Sequence, residues 1–142
     1  MAVTEIPDVF QSTCQKTQDW LRELQEIAHL RDESQSYSVL RAVLHALRDR
    51  LTVDEAAHLG AQLPMLVRGI YYEGWKPAAT PRRERTAEEF FERVEQQMRY
   101  NVDVAPQHAV ASVFVLLDRR ISEGEMDDVR HMLPEAVRRI VC

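Results

Sequence analysis

The sequence has few of the residues on which several functional classes depend. Its 142 residues include only two cysteines, Cys14 and Cys142, and four glycines. Two distant cysteines without a Cys-x-x-Cys pair argue against a disulfide framework, and we expect two reduced structural thiols. The four glycines form no glycine-rich loop of the kind that cradles phosphates. No nucleotide or other cofactor is therefore predicted.

Long apolar runs and an excess of positive charge are also missing. No stretch approaches the roughly 18 apolar residues of a membrane span, and the N-terminus MAVTEIPDVFQSTC lacks the basic start and apolar stretch of a signal peptide. The chain has 18 Lys and Arg against 23 Asp and Glu, a net charge of -5, which disfavours nonspecific attraction to nucleic acid or anionic lipid. We expect a cytoplasmic protein with no membrane and no nucleic-acid partner.

What the sequence does contain is an internal repeat at a shift of seventy residues. Nine identities fall within the 28 aligned positions of 43–70 and 113–140, where unrelated sequences give roughly two. The composition, 45% hydrophobic and 29% charged, supports one sizeable core. We predict a single compact helical domain over residues 1–142, with homologous units at approximately 8–75 and 82–142 and a linker at 73–85.

Each unit is predicted to contain four helices. Apolar residues recur three and four apart in TQDWLRELQEIAHL and TAEEFFERVEQQMRY, and the segments SYSVLRAVLHALRDRL and PQHAVASVFVLLDRRI follow them. A third helix begins at Thr52 or Ser122, each followed three residues later by a glutamate, which is a capping box. Leu-Pro then breaks the helix in both units, and a short fourth helix follows. The predicted fold is all-α, with about eight helices sharing one core.

Three pairs with the spacing of helical metal ligands attract attention: Glu26-x-x-His29, Glu55-x-x-His58 and Asp128-x-x-His131. At about 100° per residue, however, the histidines lie away from the apolar stripe of each helix. We therefore expect solvated surface histidines and no metal site.

Part of the sequence pattern of two further functional classes, DNA-binding proteins and enzymes, is present, but the rest of each pattern is missing. LTVDEAAHLG resembles the first helix of a DNA-binding helix-turn-helix, but AQLPMLVRGIYYEGW follows it, which is not a basic recognition helix. A catalytic constellation is not visible either, since no Gly-x-Ser-x-Gly elbow occurs and His45, beside Leu44 and Leu47, is expected at the edge of the core. We predict that the protein is not an enzyme.

Two sets of residues remain as candidates for a role. Charged residues and prolines that occur in both units are interpreted as structural, with arginines bonding helix ends or pairing with glutamates; they are Arg50, Glu55, Pro64, Arg68, Arg120, Glu125, Pro134 and Arg138. The joint YYEGWKPAATPRRER combines aromatic and basic side chains, a composition seen at protein interfaces; its candidate interface residues are Tyr71, Tyr72, Trp75, Lys76, Arg82 and Arg83. The alternative is that Tyr71 and Trp75 pin the linker onto the core.

The segment AVLHALRDRLTVDEAAHLGAQLPMLVRGIYYEGWKP, followed by TPRRERTAEEFFERV and a second RIS…LP unit, resembles a prokaryotic family catalogued as domain of unknown function 2267. The resemblance runs from about Asp19 onward. It implies a small, all-helical bacterial protein, and no catalytic residue or cofactor comes with it.

These observations lead to two functional hypotheses. The first is a noncatalytic helical protein that acts by association, with itself as a homo-oligomer or with a protein partner, through the surface around Trp75. The alternative is a helical domain that binds a small apolar ligand between its halves, with a sensing role.

Overall fold

A computed structural model describes residues 5–82, 86–98 and 103–141. The regular secondary structure in these ranges is entirely helical. The first half contains α1 (Asp8–Ala28), α2 (Glu33–Arg50), α3 (Val53–Ala61) and α4 (Met65–Tyr72). A 3₁₀ turn at Pro77–Ala79 lies in the joint. The second half contains α5 (Ala87–Gln97), α6 (Pro106–Arg120), α7 (Glu123–His131) and α8 (Glu135–Val141). The predicted all-α fold with eight helices is confirmed for the described ranges.

The helix starts coincide with the predicted capping residues. The side chains of Thr52 and Ser122 accept hydrogen bonds from the amides of Glu55 and Glu125 at 3.2 Å and 3.3 Å. The hydroxyl of Thr86 caps α5 in the same way. Each bond satisfies an amide that has no partner within its own helix, which fixes where the helix begins.

The Leu-Pro pairs end one helix and precede the next. α4 begins directly after Pro64, and α8 begins directly after Pro134. At a shift of seventy residues the bounds of α3 coincide with those of α7, and α2 ends at the position where α6 ends. Common ancestry of the halves, and the unit bounds at 8–75 and 82–142, stay predictions.

Buried apolar side chains of both halves belong to one contiguous core. Corresponding positions are buried together, as the repeat implies: Val43 with Val113, Leu47 with Leu117, Leu63 with Leu133, and Val67 with Val137. α2 lies at the centre, packed against α1, α4, α5 and α6, and its residues 42–49 are all buried.

The two first helices differ in length. α1 has 21 residues and α5 has 11, and α1 begins nine residues before the segment in which the sequence pattern predicted it. Its additional turns pack beside α4. No helix in the described ranges is long and apolar enough to cross a membrane.

Candidate functional site

The aromatic residues of the joint pack inward. Tyr71 is fully buried, and its hydroxyl donates a hydrogen bond to the Ala56 carbonyl at 2.8 Å. Burial raises the pKa of Tyr71 far above its usual range, so the phenol stays neutral. This residue belongs to the core, and it offers no side-chain surface to a partner.

Tyr72 and Trp75 are half-buried and extend the same stack. The Tyr72 ring centroid lies 4.9 Å from that of Tyr71 and 5.3 Å from that of Trp75. Tyr72 also lies against Gly60, where a Cβ atom would come within 2.3 Å of the Tyr72 hydroxyl oxygen. The side chains therefore attach the joint to the core, as the alternative interpretation expected.

The basic residues of the joint are placed differently. Lys76 and Arg82 are exposed, whereas Arg83 lies outside the described residues. The role of the joint as an interface stays a prediction, and only its basic, exposed portion is available for one.

A buried charge cluster connects the joint to both halves, and sequence reasoning missed it. Arg48 and Asp49 are 4% and 6% exposed. Arg48 donates to Asp49 Oδ1 at 2.9 Å and to the carbonyls of Tyr71 and Glu73 at 2.8 Å and 2.9 Å. Arg93 on α5 donates to Asp49 Oδ2 at 2.8 Å. The end of α4 and the start of the second half are therefore held by one pair of charged residues on α2.

Two arginines of the repeat donate hydrogen bonds to carbonyls at helix ends. Arg50 donates to the carbonyl of Met132, the C-cap of α7, at 2.9 Å. Arg68 donates from Nε to the Gly60 carbonyl and from Nη2 to the Leu63 carbonyl, both at 2.9 Å. These carbonyls lie at or just beyond the C-terminal ends of helices, where few backbone amides are available; the Gly60 carbonyl also accepts a hydrogen bond from the Leu63 amide at 3.1 Å.

Their counterparts behave differently. Arg120 pairs with Glu23, at 2.9 Å from Nε and 2.7 Å from Nη2, rather than with Glu125, and its guanidinium lies 5.9 Å from the centroid of the Trp20 ring. The side chain of Arg138 donates no hydrogen bond to any described residue, although its Nε is buried. The side chains of these repeated arginines therefore do not repeat their contacts.

The repeated glutamates face each other across the contact of α3 with α7. The Thr52 hydroxyl donates to Glu55 Oε1 at 3.0 Å, which completes the local cap. Burial raises the pKa of Glu125, and the nearby carboxylates of Asp128 and Glu55 raise it further, while His58 opposes the shift. This seam is acidic and lies at the surface of the protein.

The three histidines of the candidate metal pairs lie at the surface, whereas His45 is buried. His29, His58 and His131 are exposed, and within the described ranges no three potential ligands are grouped where a metal ion could be held. His45 is 3% exposed and accommodated by a hydrogen bond from Nε2 to the Ile70 carbonyl at 2.7 Å. Burial lowers the pKa of His45, which favours its neutral form.

One surface is strongly apolar. The long α1 and the start of α4 enclose an open cavity of about 430 Å³, which we call the α1/α4 groove; it is lined by Phe10, Thr13, Cys14, Met65, Leu66 and Gly69, almost without polar atoms. Ile6 and Val9, which lie just before and within the first turn of α1, are also apolar, with 57% and 51% of their area exposed. The Leu66 amide donates to the Thr13 hydroxyl at 2.9 Å, which fixes α4 against α1.

A second surface, which we call the α5/α8 groove, combines apolar and acidic residues. Its cavity of about 520 Å³ lies between α5 and α8, with Pro106 and Gln107 of α6 at its margin. The remaining lining residues are Ala87, Glu88, Phe91, Glu92, Glu95, Ala136 and Ile140.

Comparison with known proteins identifies a family and gives no activity. No curated protein matches the chain. The family model described as "Uncharacterized conserved protein (DUF2267)" matches residues 17–140. Since the match covers most of the chain, the protein belongs to the DUF2267 family.

Proposed function

We propose that the protein is a noncatalytic helical module that associates with a second copy of itself through the α1/α4 groove. The observation that carries the proposal is the concentration of exposed apolar side chains on this surface: Phe10, Met65 and Leu66 are each at least 40% exposed. Single exposed apolar residues are ordinary, whereas a contiguous apolar patch beside a cavity is typical of an interaction site.

The apolar face of α1 is longer than the core that covers it. At about 100° per residue, Phe10 and Thr17 lie on the same face as Leu24. Leu24 is fully buried and Thr17 is 6% exposed, but Phe10 is 51% exposed. The apolar face of α1 is therefore buried toward its C-terminal end and exposed at the groove. A further apolar surface would cover the exposed part.

A second copy is the favoured occupant because the same surface carries both exposed apolar side chains and an apolar cavity. Phe10 and Met65 are more than half exposed and also line the cavity. In a two-fold contact each copy presents the same patch, so that the projecting residues of one face the cavity of the other. We accordingly favour the groove over the joint around Trp75, since Trp75 is half-buried and Tyr71 fully buried.

Sedimentation equilibrium tests the proposal. We expect a concentration-dependent dimer, with a dissociation constant that rises at least tenfold in Phe10→Ser. Val115→Ser is the matched control, because Val115 is also apolar and 41% exposed but lies on α6, away from the groove. A chain that remains monomeric to about 1 mM overturns the proposal, since that limit corresponds to only about 4 kcal/mol of binding.

Cys14 provides a second measurement of the same contact. It is exposed and lines the groove, so alkylation of a Cys142→Ser variant followed by mass spectrometry reports on Cys14 alone. We expect its alkylation to slow as the protein concentration rises and to become independent of concentration in Phe10→Ser.

A small apolar ligand is the alternative occupant. The cavity volume of about 430 Å³ falls within the range of small-molecule pockets and its lining is apolar. Native mass spectrometry of freshly purified protein distinguishes the two: bound mass that is lost in Phe10→Ser supports a ligand, and a dimer of clean chains supports self-association.

A further inference from the structure

The wall of the α5/α8 groove carries an ordered row of negative charge. Glu88, Glu92 and Glu95 are spaced i, i+4 and i+7 on α5, so they lie on one face of the helix. At 1.5 Å per residue the row is about 10 Å long. All three residues are exposed.

This row is not neutralised by the part of the protein that the structure describes. Neither a hydrogen bond nor an ion pair joins the side chain of Glu88, Glu92 or Glu95 to another described residue, and none of the nine lining residues is a cation. Like charges at this helical spacing repel one another. A cationic partner would relieve that repulsion while covering the groove.

Apart from Gln107 at the margin, the other lining residues of the groove are apolar. Phe91 lies between the glutamates on α5 and is 6% exposed, and Ile140 on α8 stands opposite with 41% of its area exposed. An occupant that satisfies both features has an apolar face with positive charge along its edge.

The arrangement disfavours a metal ion and nucleic acid. Three carboxylates distributed along two helical turns do not converge on one point, and the described residues contain no group suited to hold a metal. A nucleic-acid backbone would be repelled by the row.

We propose that the α5/α8 groove binds a basic amphipathic helix of a partner protein. A helix is the fitting form because its lysines or arginines at i, i+3 or i+4, and i+7 repeat with the same rise as the glutamates of α5. Its apolar face would cover Phe91 and Ile140, and its basic edge would lie along Glu88, Glu92 and Glu95. The site is separate from the α1/α4 groove, which has almost no polar lining.

Fluorescence anisotropy with the full chain tests the proposal. The probe is a labelled, end-capped peptide of about 14 residues, three to four helical turns, with leucines on one face and lysines at i, i+3 and i+7 along its edge. We expect saturable binding that weakens at least tenfold in the triple variant Glu88→Gln/Glu92→Gln/Glu95→Gln. Binding should also weaken between low and high salt, since exposed charges are screened over about 10 Å at 0.1 M salt.

The matched control has the same net charge with the carboxylates removed elsewhere. Glu5→Gln/Glu26→Gln/Asp127→Asn neutralises three exposed carboxylates outside the groove, and we expect it to bind like the unmodified chain. Phe10→Ser should also bind normally, which separates this site from self-association. Circular dichroism and thermal unfolding confirm that each variant is folded.

Three results would overturn the proposal. The first is equal loss of affinity in both triple variants, which would mean a response to net charge alone. The second is equal binding of a peptide whose lysines are replaced by glutamine, which would mean apolar adsorption. The third is absence of saturable binding up to about 1 mM protein, the limit of weak association.

Discussion

The two halves of the molecule bury different chemistry at corresponding positions. His45 on α2 is 3% exposed, whereas Val115, its counterpart on α6, is 41% exposed. Asp49 is 6% exposed within a charge cluster, whereas the side chain of its counterpart Arg119 is 56% exposed. In the first pair, the polar side chain of His45 is buried and the apolar side chain of Val115 is exposed, although α2 and α6 end at corresponding positions.

The comparison shows which positions determine the helix packing that both halves share. Apolar pairs such as Leu47 with Leu117 and Val67 with Val137 are buried in both halves. Charged positions follow their surroundings. Residues 47–49 of α2 are buried, so an ionised pair near the end of this helix is enclosed, whereas residues 118–120 at the end of α6 are exposed. Apolar burial depends on the face of the helix, whereas the role of a charge depends on its particular neighbours.

The largest expected difference between the halves is at positions 49 and 119. Asp49→Ala leaves Arg48 buried and without its carboxylate, and we expect a loss of about 3–5 kcal/mol in the free energy of unfolding. Arg119→Ala removes an exposed ion pair with Glu23, for which about 1 kcal/mol or less is expected. Urea unfolding of both variants measures the difference, and equal losses would contradict the distinction between buried and exposed charge.

A smaller difference is expected at the repeated arginines 68 and 138. Arg68→Ala removes the bonds to the Gly60 and Leu63 carbonyls, and we expect about 1–2 kcal/mol of destabilisation. Arg138→Ala removes no hydrogen bond to a described residue, so a change within about 0.5 kcal/mol is expected. Thermal and urea unfolding compare the two; a larger effect at Arg138 would show that the halves share the contact after all.

The smallest effect at neutral pH concerns His45. Because burial lowers the pKa of His45 below the ordinary 6.5, the unfolded chain binds a proton more readily than the folded one as the pH falls below that value. Stability from this residue is therefore present above about pH 6.5 and decreases toward pH 5. We expect the unfolding free energy of His45→Gln to depend less on pH in this interval.

The outcome that contradicts this prediction is a His45→Gln variant whose unfolding free energy depends on pH as steeply as that of the unmodified chain.

The helix boundaries could be predicted from the sequence, but the contacts between the helices could not. Capping at Thr52 and Ser122 and the breaks at Pro64 and Pro134 depend on residues within a few positions of each other, so local patterns predict them. The bond between Asp49 and Arg93 joins residues 44 apart, and no local rule predicts such a pairing.

The two grooves could not be predicted from the sequence for a related reason. The periodicity of α1 identifies its apolar face, but it does not say where the covering helices end. Phe10 and Leu24 look equivalent in the sequence, and only the tertiary structure distinguishes the exposed one from the buried one.

The bonds that cross the joint make the protein a candidate for a split reporter. Asp49 with Arg93, and Arg50 with the Met132 carbonyl, connect the first half to the second without relying on chain continuity between α4 and α5. Two separately expressed pieces, cut in the loop after Ala79, would present complementary buried charges as well as complementary apolar faces to each other. Such pieces are expected to recognise one another selectively, and Asp49→Ala would switch their reassembly off.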